Sequence, residues 1–420
     1  MLTKQPKPDS LRSLAWVVMV LSSGSSCFAL EPRDILAISA GPVVLHPRFQ
    51  MAEQYNDNVF YSNNKQDDFL TILTPSLDAR LGKPDADYNV DLNYAFSGIL
   101  YAKNPVYNAT DHDVSLNGFY HAARLRVEGA AGFQLLDSIY GGLEAYANGY
   151  YGVALQNLSR ILPTANGTVT YDLTEKVSTY VEGTYQATEF LKEVLLPNLG
   201  TLYNNNQWKG YWGFEYKPRE KVGIFGEAYY GQSASDPTIS YFPKPAYFTS
   251  IGGYLGVRGN FTSKLSGTAK VGYDNTFEST VSSEGPVASV SMTEQFSEKL
   301  NATLGYTRQI GLPVYITYGG GSIAPYTSDS LNATLTATMG ARHPVRLSLT
   351  GSYAINSYDR VQGSTVPTYS SDYFTVGLNA NYQIVSWAAA GAAYQYSKLS
   401  SGSNYGYDIN MVTMNITIGY

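Results

Sequence analysis

The sequence predicts an all-β chain: a transmembrane antiparallel up-and-down β-barrel of about 18 strands, with 16 as the nearest alternative, behind a cleaved signal peptide. Three observations carry this. Apolar residues recur at every second position, short turns alternate with long Gly/Asn/Pro/Ser-rich loops, and tyrosine is heavily used. The 420 residues include 37 Tyr, 39 Gly and 19 Pro beside four His and one Cys, the vocabulary of strands, turns and water–lipid interfaces. Charged residues make up 15% and hydrophobic ones 44%, against about 25% charged for an ordinary soluble domain, which excludes a disordered or collagen-like chain. Lys+Arg is 28 and Asp+Glu 34, a formal charge of -6. With no basic excess to follow a phosphate backbone, nucleic acid is not an expected partner.

Residues 1–29 read as a signal peptide. Lys4, Lys7 and Arg12 form a positive n-region, Leu14 to Leu21 an apolar h-region, and Ser22 to Ala29 a small-residue stretch that places cleavage after Ala29. The only cysteine, Cys27, leaves with it, so disulfides, Cys-based zinc sites and Cys nucleophiles are excluded from the remaining 420 − 29 = 391 residues. A lipid anchor on Cys27 is the competing reading, but Gly24-Ser25-Ser26-Cys27 lacks the aliphatic residue usual three places before a lipidated Cys. Residues 30–42 are then a short periplasmic segment and 43–420 the barrel. Removing Lys4, Lys7, Arg12 and Asp9 takes away a net +2, from -6 to -8.

No spanning helix is expected. The longest uncharged run, the 25 residues Tyr373 to Ser397, spaces Asn379, Asn381, Gln383 and Gln395 in alternation with apolar residues, as a membrane helix would not. The same period appears in Leu300, Ala302, Leu304 and Tyr306 against Asn301, Thr303 and Thr307. It recurs in Leu331 to Met339, in Val345 to Tyr353, in Tyr88 to Phe96, and in Trp208, Trp212, Phe214 and Tyr216 against Gln207, Lys209 and Glu215. One face is apolar and the other polar. A soluble antiparallel sheet alternates in the same way, so the connections decide.

Eight short turns fall at Lys83 to Ala86, Ala122 to Arg124, Leu173 to Lys176, Pro218 to Lys221, Asn260 to Lys264, Ser297 to Lys299, Ala341 to Pro344 and Val385-Ser386. Between them lie nine loops: Asn56 to Gln66, Ala102 to Ala109, Asp137 to Gly152, Glu193 to Tyr203, Thr238 to Pro245, Ser279 to Gly285, Gly311 to Ala324, Arg360 to Tyr369 and Ser400 to Asn404. Seventeen connections join eighteen strands, with both chain ends on the short-turned rim, the pattern of an outer-membrane barrel. The 391 residues give about 22 per strand and connection, enough for the roughly 9 to 11 that cross a bilayer obliquely. A weak hairpin repeat, Lys-Val or Lys-Leu after a turn and a Tyr near the strand's end, recurs from Lys176, Lys221, Lys264 and Lys299 and marks a meander.

Two resemblances are carried by local motifs. Val412, Met414, Ile416, Ile418 and the terminal aromatic Tyr420 share one face. This resembles the C-terminal strand of bacterial outer-membrane proteins, which implies recognition by the barrel assembly machinery. Near the start, Pro47-Arg48-Phe49, Glu53-Gln54-Tyr55-Asn56-Asp57-Asn58-Val59-Phe60 and Asp67-Asp68-Phe69-Leu70-Thr71 to Pro75 resemble the opening of the beta-barrel porin 2 type of Gram-negative outer-membrane porins. That family is associated with exopolysaccharide and capsule contexts. The resemblance covers about residues 43 to 82 in detail and implies location and fold; it brings no catalytic residues.

A barrel of this size is too wide for side chains to fill, so a water-filled lumen is expected. Alternation places Arg48, Arg80, Arg124, Arg126, Lys209, Lys270 and Arg346 inward, with Asp78, Asp91, Glu128, Glu182, Glu215, Glu227 and Asp274, seven of each sign, so no strong ion selectivity follows. These charges either pair across the lumen or keep it wet. Arg124, Arg126 and Glu128, adjacent near the periplasmic end, are the expected constriction, with Arg80, Asp91 and Arg346 as further lumen candidates. Asp111-His112-Asp113 with His121 invites a metal reading, but a single His at a strand rim is more often a solvated loop residue. With His46, His112, His121 and His343 scattered, no enzyme, metal or cofactor is expected. Asn-x-Ser/Thr sequons such as Asn301 and Asn332 reflect an Asn/Thr-rich lumen face. Gly319 to Ser322 suggests an external loop able to fold inward.

The expected function is passive diffusion of small hydrophilic solutes. The alternative is a conduit or accessory barrel for exopolysaccharide export, for which Tyr180, Tyr211, Phe225 and Tyr229 would be the lumen-facing aromatics. A barrel enzyme ranks third. Expected partners are outer-membrane lipid and lipopolysaccharide, the barrel assembly machinery and, on the alternative reading, polysaccharide export components.

Overall fold

A computed structural model describes residues 36–82, 86–140, 155–192, 195–196, 200–201, 203–237, 246–278, 282–311, 326–341, 343–358, 369–401 and 406–419. Eighteen long strands follow one another around one sheet. They are β1 (Val43–Asn56), β2 (Asp68–Gly82), β3 (Tyr88–Tyr101), β4 (Ala109–His121), β5 (Leu125–Leu136) and β6 (Arg160–Asp172). Next come β7 (Val177–Phe190), β8 (Tyr203–Arg219), β9 (Val222–Pro237), β10 (Ala246–Asn260), β11 (Leu265–Phe277) and β12 (Ser282–Ser297). The last six are β13 (Leu300–Gly311), β14 (Tyr326–Met339), β15 (Val345–Tyr358), β16 (Tyr369–Val385), β17 (Ala388–Ser401) and β18 (Tyr407–Gly419). Every neighbouring pair is antiparallel. β18 returns to β1 through Arg48↔Gly419 to Asn56↔Met411, which closes the sheet into a barrel. The expected count of eighteen is observed, and where Ser279 to Gly285 is expected as a loop the strand already resumes at Ser282, with Glu284 and Gly285 paired to Asn275 and Asp274.

Closure leaves no long edge, so the backbone of each strand pairs with that of the next around the ring. At the foot of the seam β18 ends opposite Arg48, and the first five residues of β1 lie beyond its reach. The short strand Ile38–Ala40 covers part of that edge, pairing Ile38↔Leu45 after a turn at Gly41, whose φ of 65° suits glycine. The signal peptide, the turn at Pro84-Asp85, the Gly319 to Ser322 segment and Tyr420 lie outside the described residues.

Alternation sorts the side chains as the period requires. Leu77, Leu92, Leu116, Val127, Val169, Val181, Leu255, Val271, Leu304, Leu335, Leu349 and Leu378 are exposed on the outside. Val412, Met414 and Ile416 join them on β18, with Ile418 in the same register, while Thr413, Asn415 and Thr417 point inward. Exposed tyrosines mark the short-turned rim at Tyr88, Tyr120, Tyr171, Tyr216 and Tyr382, and aromatics recur higher on the wall at Trp208, Tyr230, Tyr273, Phe374 and Tyr394. Tyr216 and Trp208, like Tyr382 and Phe374, are eight positions apart. That is about 26 Å along a strand and about 20 Å along a barrel axis at the usual tilt, close to the height of an apolar membrane band.

Candidate functional site

The inner wall carries its chemistry in two places: a network of charges and rings on β7 to β11, and a loop folded into the mouth. On the wall, Arg258 of β10 donates from Nε to Glu215 Oε1 at 2.9 Å and from Nη2 to Oε2 at 3.0 Å. Its guanidinium lies 5.1 Å from the Tyr180 ring centroid and 5.0 Å from that of Phe225. Lys270 of β11 donates to Glu227 at 2.8 Å, which also accepts the Tyr180 hydroxyl at 2.7 Å, and Lys209 lies 4.0 Å from Asp274. Tyr229 stacks on Tyr254 at 5.6 Å, and Tyr211 lies tilted against Tyr229 at 5.3 Å.

Glycines make this layer possible. A Cβ at Gly213 would stand 2.4 Å from Tyr180 Cζ, and one at Gly223 2.0 Å from Glu215 Oε1, so ring and carboxylate lie flat against backbone that only glycine leaves bare. Tyr180 is held at both its hydroxyl and its face. The Gly213→Ala variant is therefore expected to cost about 1–3 kcal/mol through overpacking, read as a lower urea midpoint of the refolded barrel; an unchanged midpoint would show that Tyr180 is free to move.

The residues expected to form the constriction are placed unequally. Arg126 and Glu128 point inward from β5, whereas Arg124 lies in the turn before it and is not a wall residue. Arg126 donates to Asp172 at 3.2 Å, Glu128 meets His121 Nε2 at 3.3 Å, and Arg80 donates to Asp91 at 2.6 Å. These charges pair along the wall between near strands, not across the lumen. Arg126 and Glu128 join Tyr180, Glu182, Glu215 and Arg258 around a basin of about 610 Å³, and Asp91 shares a second hollow of about 340 Å³ with Glu128. Arg346 stands at the foot of β15, ten strands round from β5. Arg258 was not among the expected inward charges, although Leu255 and Val257 outside and Gly256 inside put it on the inner face. Two residues from a turn, it reads in sequence as an ordinary rim arginine.

The aromatics Tyr180, Tyr211, Phe225 and Tyr229 do face inward and belong to no outer girdle. Tyr180, Phe225 and Tyr229 are only 2, 4 and 4% exposed, so their faces are already spent on cations and on each other. The Asp111-His112-Asp113 run is split by alternation. Both Asp side chains point inward, while His112 sits outside within β4, bonded through Nδ1 to the Tyr94 hydroxyl at 2.9 Å, and is not a loop residue. Among the described residues no group of His, Cys, Asp and Glu could hold a metal.

At the mouth, the loop after β1 turns into the barrel. Asn58 is fully buried and ties it down: its amide donates to Ser62 O at 2.7 Å and Asp408 O at 3.1 Å, its Oδ1 accepts Ser62 N at 3.1 Å, and Val59 N reaches Gln66 O at 2.9 Å. Tyr61 takes a φ of 49°, left-handed backbone that a tyrosine holds only when its surroundings fix it. Val59 and Phe60 pack on the inward Leu70, Ile72, Ile99 and Tyr101, together with Tyr107 and Ile139 of the next loops. Tyr61 packs on the other flank, against Tyr373, Leu399, Tyr407 and Ile409. Asp68, also fully buried, accepts backbone N–H groups of Lys103 and Asn104 and fastens the second loop to the first.

No family model and no curated protein matches the chain. Among solved structures it is similar to the ferric citrate transporter FecA in its unliganded form, with 11% identity over 84% of this chain and a TM-score of 0.45; the chain spans 60% of that protein's length. The siderophore receptor PirA from Acinetobacter baumannii shares 8% identity over 89% of this chain and 80% of its own, TM-score 0.45. Pseudomonas aeruginosa OccK2 (OpdF) in complex with glucuronate shares 11% over 89% of this chain and 98% of its own, TM-score 0.42. What the lumen handles is read from its own side chains.

Proposed function

We propose that this barrel is a bacterial outer-membrane channel through which small hydrophilic solutes diffuse passively. One observation carries the reading: eighteen strands close with an apolar outside, banded by aromatics, and an inside of hydroxyls, amides and paired charges. A ring of that size is wider than its side chains fill, so water runs through it unless a loop intervenes, and the apolar band suits lipid rather than water. The even count, the short-turned rim and both ends of the strand series on that rim fit the outer membrane. Sugar-stacking along a polysaccharide conduit needs open ring faces, and Tyr180, Phe225 and Tyr229 offer none.

Single-channel recording of the refolded protein in a planar bilayer tests this, with heat-modifiable gel migration as the check on folding. Stable open steps, and swelling of proteoliposomes in small sugars or amino acids, are the expected result. A correctly folded barrel that passes neither current nor solute would sink the reading.

A further inference from the structure

The three ion pairs on β8 to β11 are buried unequally. Glu215, Glu227 and Asp274 keep 7, 6 and 3% of their side-chain surface, while Arg258, Lys270 and Lys209 keep 38, 26 and 19%. Each carboxylate is sunk in the wall and each cation stands between it and the lumen. Pairs elsewhere on the wall share exposure evenly: Arg80 with Asp91 at 37 and 33%, Arg126 with Asp172 at 36 and 29%. The glycine floor explains the difference, since Gly223 gives Glu215 room to lie flat beneath Arg258. Rings cover one side of each cation, at 4.3 Å for Lys270 on Tyr254 and 5.2 Å for Lys209 on Tyr229, and so aim its remaining donors. An arginine has five N–H donors and a lysine three. Glu215 uses two of Arg258's and Glu227 one of Lys270's.

The lumen divides around this column: the inner faces of β2 to β6 carry Asp78, Asp91, Asp111, Asp113, Glu128 and Asp172, and the opposite arc carries no acid among its described residues. On the inner faces of β12 to β18 and β1, the described residues include Arg48 and Arg346 and no carboxylate. Glu182 and Glu128 border the column only on its β5 to β7 side, at the basin. The geometry points to a docking column for small oxyanions, in which Lys209, Lys270 and Arg258 receive the carboxylate or phosphate group of solutes in passage. This rests on the channel reading for its purpose but not for its test.

Equilibrium binding of malonate and of inorganic phosphate to the refolded protein in detergent is measured by calorimetry, beside its reversal potential in a KCl gradient. The Lys270→Gln/Glu227→Gln variant removes one cation with its own acid, so net charge is unchanged. Saturable binding by the unaltered protein, weakened about tenfold in the variant, with a reversal potential shifted away from chloride preference, is expected. The outer-face pair variant Arg308→Gln/Asp329→Asn serves as the control and keeps its binding. Tighter malonate than phosphate assigns carboxylates as the preferred cargo, and the reverse assigns phosphates. Equal binding by the unaltered protein and the lumen variant, or no saturable binding at all, overturns the column. Intact binding in a barrel that passes no current would overturn the channel reading and leave the column standing. Should the variant fail to fold, Arg258→Gln/Glu215→Gln replaces it, and chloride titration of the unaltered protein decides independently: binding indifferent to chloride overturns the proposal.

Discussion

Replacing Val59, Phe60 and Tyr61 by Gly, Ser and Gly is expected to raise single-channel conductance by about twofold or more, because an eighteen-stranded barrel without inward loops leaves an open aqueous channel. The three side chains form a wedge astride the seam. Val59 and Phe60 grip the β2–β3 side and Tyr61 the β16–β18 side, with rings 4.9 Å apart for Phe60 and Tyr107 and 5.7 Å for Tyr61 and Tyr407. Their burial fastens the loop to the wall on both sides of the seam, so removing it frees the loop. Asn58→Ala is the gentler version. It leaves the wedge residues in place but deletes three side-chain hydrogen bonds of a buried amide, at about 1 kcal/mol each, and should show as current flicker with little change in the fully open level. Unchanged conductance in the triple variant would mean that the narrowest point lies lower, at the basin between Arg126 and Arg258.

How much of this was legible follows from the range of each interaction. Strand count, turn positions and face assignments depend on residues one or two apart, and they stand in the sequence: Leu300, Leu304 and Tyr306 face out and Asn301 and Thr303 in because the pleat has period two. The wall network depends on side chains that lean across strands. Lys209 of β8 meets Asp274 of β11, three strands on, and no local pattern reports the diagonal. Arg258 was therefore missed, and Arg126 was placed in a constriction when its nearest commitment is to Asp172. The inward loop left one signal unread: Val59-Phe60-Tyr61 is an apolar run inside an otherwise polar loop, and apolar residues there need a surface to cover. His112 shows the converse error, since a histidine between two acids suggests a site only until alternation sends it to the other face.

Acidification is expected to loosen the barrel first at the seam between β1 and β18. Asp57, just beyond the end of β1, accepts the backbone N–H of Asn410 at 2.7 Å and its side-chain amide at 2.8 Å, and pairs with Lys65, which also bridges to Asp408. Burial alone would push the Asp57 carboxyl up, but the Asn410 donors and the Lys65 ammonium outweigh it and hold the group below the usual carboxylate range. Burial likewise opposes the Lys65 charge, and its two carboxylate partners more than offset this and raise it above the ordinary lysine value. A depressed acid stabilises fully above its unfolded value, about 4, and the effect is lost as pH falls through the lowered one; a raised lysine stabilises fully below about 10.4 and is lost as pH rises through its raised value. Seam stability should then be flat between about pH 5 and 10 and fall on either side. Asp57→Asn keeps the shape but removes the charge, and at neutral pH should weaken the seam by about 1 kcal/mol, allowing for its exposure to solvent. The readout is the urea midpoint against pH. The decisive comparison adds Ala52→Cys with Asn415→Cys, which face each other directly across the seam, in a chain whose only native cysteine is Cys27. With the seam locked by oxidation, Asp57→Asn should no longer matter. If the locked barrel still loses stability on that substitution, Asp57 acts on the folded loop and not on closure of the barrel.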